Sequence, residues 1–374
     1  MKLGIVTIMD DTNYGNRLQN YAVSHVLREK FGCDAVSLAA AAQKPFENSS
    51  PVLRLKNFIA GRLCVFPEFA EKRFGPNITR HNNFRTWSRK YIPTRNFYGC
   101  DGLSEALNRE YDLFFAGSDQ IWNYRFPGMK YRDFFLKFAE DRKKASLCGS
   151  FGVESIPPEL RQVYSDGLSA FAHLSVRETA GQRIVRELTG REVPVLIDPT
   201  MALTGEEWKT VARKPRVDTS RPYVLKYYLG EDDGGIDAWA RENGFAVYPL
   251  LDPSRPELYS AGPGEFISLI ENAALVCSDS FHCCVFSILF RRPFVVWERK
   301  GAENYMTSRL DTLLETFGLE NRWIHRLSPA DYLRCDFSRT GDILARERER
   351  FFGYVRTVLE CAGGIVCKEK AYEP

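Results

Sequence analysis

The sequence predicts an α/β protein made of two doubly wound parallel-sheet lobes that face each other across a cleft. Three observations carry that expectation. At 374 residues the chain exceeds one ordinary core, at roughly one domain per 150 residues. Short apolar runs ending in Gly, Ser, Asp or Arg recur through the first half and read as buried parallel strands whose polar ends share one edge. After Pro199 the alternation of strand and helix patterns starts again. The expected units are a first lobe over 1–200 with a basic insertion at about 45–100, a second lobe over 201–340, and a helix over 341–374 that crosses back to the first lobe.

In chain order, "LGIVTI" opens the first sheet. The helical pattern "RLQNYAVSHVLREKFG" follows, with Leu18, Tyr21, Ala22 and Val26 on one face, a stop at Gly32, and Asn16 with Gln19 spaced as a capping box. "DLFFAG", "ASLCGS", "LSVRE" and "PVLIDP" supply further strands. The second lobe reads as "PYVLKYYLG", a helix through "IDAWARENG", "FAVYPLL", a helix from Glu265, then "ALVCSDSFHCCVFSILF" and "PFVVW". In "ALVCSDSFHCCVFSILF" a strand-sized run gives way to Ser278-Asp279-Ser280, and a helix-sized run follows, so His282 falls in the first turn of a helix. Finally, "ILARERERFFGYVRTVLE" places Leu344, Phe351, Val355 and Val358 on one face.

Composition narrows the function. A hydrophobic share of 44% with 26% charged residues describes a soluble globular chain. The N-terminal apolar run breaks into acidic residues without a small-residue cleavage site, so a cytoplasmic location is expected. Ten scattered cysteines include no C-x-x-C pair, which disfavours disulfides and zinc, and no metal or cofactor is expected.

A helix that starts at the carboxyl end of a buried parallel strand collects anions, because its free N–H groups and dipole face outward there. His282 at such a start is the first candidate for acid/base work, since imidazole changes charge near neutral pH. Arg309 opens "SRLDTLLETFGL", with Ser308 and Asp311 spaced as cap and partner; a cation there opposes the helix dipole unless an anion lies between. Arg17 is placed alike. Arg177 follows the run in "LSVRE", and Asp119 with Ser118 follows the run in "FAGSDQIWN". Each has a plainer reading: a core histidine, solvated arginines, an Arg177–Glu178 pair, an Asx cap at Asp119.

Taken together, "TNYGNRLQNYA", "FAGSDQIWN", "SFGVESIP", "LSVRE", "VLIDPTMALTGEEW" and "CSDSFHCCVFSILFRRPFVVW" resemble, in this order, the successive motifs of the polysaccharide pyruvyl transferase family, from the first strand to about Trp323. The family resembles GT-B glycosyltransferases in fold. Its studied members move pyruvate from phosphoenolpyruvate onto two sugar hydroxyls, making a cyclic ketal. The resemblance implies that His282 is the donor-site histidine, Arg177 a donor arginine and Asp119 an acidic residue of the first lobe. It implies a donor side that includes Ser278 and Ser280 and an acceptor side around Asn13, Asn16, Arg17 and Ser118. One departure is Ser280, where some members carry arginine two residues before the histidine; Arg309 or Lys226 is the expected substitute anchor. The competing readings are a GT-B glycosyltransferase using a nucleotide-sugar and a non-catalytic two-lobed anion-binding protein.

The stretch from Pro51 to Arg95 holds ten basic residues against two acidic ones, +8, while the whole chain is +3 and the remainder therefore −5. Its first part, "VLRLKNFIAGRLCVF", reads as an interfacial helix, too short and too charged to span a bilayer. The expectation is peripheral docking on an anionic inner-leaflet surface, with a lipid-diphosphate-linked glycan among the candidate acceptors. A basic face packed on the first lobe, or a nucleic-acid patch using Phe84, Trp87 and Tyr91, is the alternative, and no nucleic-acid partner is expected.

Overall fold

The computed structural model describes residues 1–41, 59, 62–64, 66–98, 102–126, 131–232, 234–299 and 308–363. The first sheet contains β1 (Lys2–Val6), β2 (Asp34–Ala41), β3 (Thr94–Tyr98), β4 (Leu113–Asp119) and β5 (Lys144–Gly149) in the order β3-β2-β1-β4-β5. The second contains β6 (Tyr223–Tyr227), β7 (Ala246–Pro249), β8 (Leu275–Ser278) and β9 (Phe294–Val296) in the order β7-β6-β8-β9. Every pair in both sheets is parallel. The direction of winding reverses between β1 and β4 in the first sheet and between β6 and β8 in the second. The crevices beyond those strand ends are where such sheets hold ligands.

The helices that matter here are α1 (Tyr14–His25), α2 (Pro67–Phe74), α3 (Pro76–Tyr91), α4 (Thr179–Thr189), α5 (Pro199–Ala202), α6 (Phe281–Leu289), α7 (Ser308–Phe317) and α8 (Thr340–Gly363). α1 begins earlier than the capping-box spacing suggests. Asn13 is its N-cap, extended at φ −99° and accepting from the Asn16 amide at 3.1 Å. This corrects the Asn16–Gln19 box, and it releases both of those side chains for other contacts. α7 does start at Ser308, but Asp311 accepts from the Trp323 indole at 3.2 Å instead of turning back on the cap.

Two expected strands, "LSVRE" and "PVLIDP", reduce to single bridges, Gly149 to Val176 and Val176 to Val195. Serine hydroxyls take the place of ladder bonds there: the Ser175 amide donates to Ser146 Oγ at 2.9 Å, and the Cys148 amide to Ser175 Oγ at 3.0 Å. Conversely, β2 and β3 were not signalled. "DAVSLAAA" is alanine-rich and "TRNFY" is a polar edge, and neither carries the β-branched run that marks a buried strand.

One continuous apolar core runs from the first sheet (Leu3, Ile5, Leu113) through α1 and α6 to the second (Tyr223, Leu225, Val276). The lobes are further tied by α3. Its Arg80 guanidinium donates to the Tyr14 hydroxyl at 2.8 Å and to the Tyr259 carbonyl at 2.9 Å, and Trp87 Nε1 donates to the Val211 carbonyl at 3.1 Å. Phe84 and Trp87 are buried, so they offer no surface to a nucleic acid. The expected interfacial helix over 52–66 lies outside the described residues apart from Ile59, Arg62, Leu63, Cys64 and Phe66. α8 runs back over the first sheet, where the Tyr354 hydroxyl donates to the Ser146 carbonyl at 2.8 Å. Among the described residues no helix is long and apolar enough to cross a membrane.

Candidate active site

The strand-turn-helix around His282 is built by its serines. Ser278 Oγ donates to the Tyr227 carbonyl at 2.6 Å and accepts from the Ser280 amide at 3.0 Å, which closes the turn after β8 and aims the start of α6 at the first lobe. Asp279 folds away, accepting from the Leu229 and Gly230 amides at 2.7 and 2.8 Å and from Arg299 Nε at 3.0 Å. Ser278 is therefore spent on the turn, and Ser280 is the buried N-cap residue without a side-chain cap bond. His282 follows in the first turn, 6% exposed.

The ring lies directly on the backbone of Gly15 in the first turn of α1. A Cβ at Gly15 would stand 2.0 Å from His282 Nδ1 and 2.5 Å from its Cγ, so only glycine permits this approach. The other ring nitrogen, Nε2, is buried and without a hydrogen-bond partner, 3.5 Å from Asp198 Oδ2. The site is thus closed by helix starts from both lobes.

Asp198 is the hub. Sequence reasoning read it only as a strand terminator, although its place between an apolar run and a proline was a signal. One oxygen caps α5, accepting from the Thr200 amide at 3.0 Å and hydroxyl at 2.6 Å. The other accepts from Arg177 Nη1 at 2.5 Å and Ser118 Oγ at 3.2 Å and faces His282. Asp119, at the end of β4, sits at φ +75°, a left-handed conformation that costs ~1–3 kcal/mol in most residues and is best tolerated by Asp and Asn. Its carboxylate accepts from Asn16 Nδ2 at 3.2 Å and from the Gln120 amide at 2.9 Å, and stands 3.6 Å from Arg177 Nη2.

Burial alone would push the Asp198 and Asp119 carboxyls up. Instead, His282 and Arg177 hold Asp198 well below the usual carboxylate range, and Arg177 with His282 holds Asp119 below it. Burial likewise opposes the Arg177 charge, but Asp198 and Asp119 more than restore it.

Arg309, opening α7, is the opposite case. It is 6% exposed, its Nε has no hydrogen-bond partner, and no ion pair holds it among the described residues. Burial first, then repulsion from Arg177, pushes its pKa down to about 10. The two guanidiniums flank one ring, Arg177 at 4.5 Å and Arg309 at 5.8 Å from the centroid of Phe281. Arg177 Nε and Nη2 are also buried without hydrogen-bond partners. A cavity of about 390 Å³ lies beside Arg177, lined also by Asp198, Phe281, Thr312, Glu347 and Arg350 among others; neither Arg309 nor His282 is in that lining.

The remaining candidates divide. Asn16 joins the group: its Oδ1 accepts from Arg17 Nε at 3.1 Å while its Nδ2 holds Asp119. Arg17 is buried behind it and donates to the Ile8 carbonyl at 2.9 Å. Asn13 is committed to its cap. Lys226 is a correction as a substitute anchor. It shares a strand face with Val224, opposite Leu225 and Tyr227, and its ammonium is held by Asp237 at 2.6 Å and Asp232 at 2.7 Å. Gly15 was the residue with no sequence signal at all, since a glycine in a first helical turn reads as a weak helix former.

Among solved structures the chain is similar to a putative UDP-N-acetylglucosamine 2-epimerase from Listeria monocytogenes, at 9% identity, full coverage of both chains and a TM-score of 0.51. It is also similar to HepE of Anabaena, solved with UDP, at 12% identity, 96% of this chain and 100% of that one, TM-score 0.44. A glycosyltransferase from Rickettsia africae matches at 9% identity over 96% and 95%, TM-score 0.46. At such identities the likeness is one of fold, the two-lobed GT-B-like α/β architecture. No curated protein matches the chain. The family model described as polysaccharide pyruvyl transferase matches residues 13–299, from the cap of α1 past the histidine helix, and the chain belongs to that family.

Proposed function

We propose that the protein moves pyruvate from phosphoenolpyruvate onto two hydroxyls of a glycan sugar as a cyclic ketal, in surface polysaccharide biosynthesis. The observation that carries the donor is Arg309. Among the described residues no carboxylate forms an ion pair with this buried guanidinium, and Glu178 and Asp119 offset its burial only in part; a site keeps such a charge where an anionic ligand supplies the rest. Phosphoenolpyruvate offers a phosphate and a carboxylate to Arg309 and to the free N–H groups of Arg177, beside the start of α6.

In this reading protonated His282 delivers a proton from Nε2 to the donor's methylene carbon, leaving oxocarbenium character at the neighbouring carbon. Asp198 stays ionised and stabilises the imidazolium while it exists. One sugar hydroxyl attacks that carbon and loses its proton to the neutral histidine. The histidine returns that proton to the phosphate oxygen as the carbon–oxygen bond breaks and hydrogen phosphate leaves, and the second hydroxyl attacks the same carbon, closing the ketal and giving its proton to the histidine. Asp119, held below the ordinary carboxylate range, orients a hydroxyl as acceptor of its hydrogen bond. The acceptor is taken as a lipid-diphosphate-linked glycan, with the protein peripheral on the cytoplasmic leaflet.

The test is phosphate release from phosphoenolpyruvate across a panel of soluble and lipid-linked glycans. Release that needs both donor and glycan, and a pyruvate ketal on the product by mass and NMR, supports the reading. Turnover of nucleotide-sugars without it returns the chain to glycosyl transfer, and donor-induced stabilisation without release makes it a binding protein.

A further inference from the structure

We propose that the outward face of α2 is the surface on which the protein docks to an anionic lipid bilayer. This deepens the peripheral-membrane part of the reading above and rests on it only for location. α2 has two unlike faces. Inward, Ala70 is fully buried and Glu71 is 8% exposed, paired with Arg216 Nη1 at 2.5 Å, which fixes the helix to the second lobe. Outward, Phe66 is 66% exposed and Phe69 56%, and Ile59 just before them is 43% exposed.

Within α2, Phe69, Lys72 and Arg73 fall at i, i+3 and i+4 and share one side, and the exposed Phe66 is the N-cap residue that leads into that helix, so two aromatic rings and two cations lie close together in the chain. Lys72 and Arg73 are exposed and make no ion pair among the described residues. α3 adds exposed Arg85, Arg89 and Lys90, and Glu68 is the exposed acidic residue of the described stretch 66–98. Arg80, counted with this basic segment in the sequence, is buried at the lobe contact and contributes nothing to the surface.

Rings that project into water beside unpaired cations match the boundary between headgroups and acyl chains, where the rings leave water and the cations meet phosphates. Phenylalanine can also stack on a base, but the exposed apolar set includes the aliphatic Ile59, which leaves water in a bilayer and does not stack, and this favours lipid over a single-stranded nucleic acid. The cations set the preference for anionic lipid and the rings set the depth.

Flotation of the full chain with vesicles of phosphatidylcholine, alone or mixed with phosphatidylglycerol, tests this. Binding to the anionic vesicles alone is expected, weakened by salt. Each cation near an anionic surface is worth about fivefold in affinity, so Lys72→Gln with Arg73→Gln should weaken binding roughly 25-fold. Phe66→Ser with Phe69→Ser should abolish it, and Phe69→Trp should shift its emission to the blue on anionic vesicles. Absence of vesicle binding, equal binding to neutral vesicles, indifference to the four substitutions, or capture of a single-stranded oligonucleotide in place of vesicles would each overturn the proposal. Thermal stabilisation by phosphoenolpyruvate, measured on the same variants without lipid, keeps the two readings apart. Its persistence without vesicle binding sinks only the docking face; vesicle binding without it sinks only the donor.

Discussion

Arg177 and Arg309 flank the same phenylalanine and are buried to the same degree, yet their surroundings differ in kind. Arg177 comes from the first lobe and meets two carboxylates, Asp198 at 2.5 Å and Asp119 at 3.6 Å, which keep its charge. Arg309 comes from the second and meets another cation, which together with burial depresses it to about 10. A depression of that size corresponds to roughly 3 kcal/mol set against the charged form. The difference separates two tasks that residue type alone does not: one arginine is tied into the carboxylates of the site, and the other is the one that, in the proposed reading, meets a ligand's charge.

Removing Arg177 should break the comparison on the side of stability. Arg177→Gln leaves Asp198 and Asp119 buried without their counter-charge, and breaking a buried pair from one side costs about 3–5 kcal/mol. Denaturant unfolding should show that loss, with turnover lost as well. A variant as stable as the parent would mean that the aspartates are satisfied elsewhere.

Arg309→Gln should behave in the opposite way. The protein without donor loses a buried charge that no ion pair holds among the described residues, so its stability should hold or rise, while donor affinity falls about tenfold to a hundredfold, the worth of a charge-assisted hydrogen bond of ~1.5–3 kcal/mol. Calorimetric titration with phosphoenolpyruvate reads the affinity and thermal melting reads the stability. The distinction between the two arginines fails if the variant is destabilised and binds the donor normally.

That contrast was half legible in the sequence. Each arginine could be placed at a strand end or a helix start, as could His282 and Asp119, because apolar runs and their polar terminators mark the edge where parallel strands end. Their partners could not be read. Asp198 belongs to a segment that pairs only by single bridges, so it looked like punctuation between a strand and a proline. Lys226 looked available until the period of β6 put it on the face opposite Tyr227, between two aspartates. In the fold, the strongly apolar strands were visible, and the alanine-rich β2 and polar β3 were not, since packing against neighbours and not local propensity makes them strands.

Gly15 tests the comparison from the lobe contact, because the histidine that faces Asp198, the partner of Arg177, is seated from the first lobe. Gly15→Ala puts a methyl group where the imidazole lies, and overpacking of this sort costs about 1–3 kcal/mol. The ring should be displaced from Asp198, with turnover falling by roughly 10²-fold and donor affinity retained through the arginines. Unchanged turnover would mean that the ring has room to move and that seating by Gly15 is not required.

The smallest expected effect sharpens the Arg177 side through Asn16, which holds Asp119 by one hydrogen bond at 3.2 Å. Asn16→Ala should cost about 0.5–1.5 kcal/mol at neutral pH. The pH dependence carries more information. Asp119 has a folded pKa below its ordinary value, so its contribution to stability is fully present above the unfolded value, near 3.9. It is lost as pH falls through the folded value. With the Asn16 donor gone, Arg177 and His282 alone hold the carboxyl down and its folded pKa moves up. The loss on acidification still begins near the unfolded value but ends at a higher pH. Unfolding free energies measured in steps from neutral pH to below pH 4 should therefore show variant and parent converging below pH 4, with a constant gap above it. A gap that persists in acid would assign the cost of Asn16→Ala to lost packing of α1, and leave Asp119 held by Arg177 and His282 without help from the first helix.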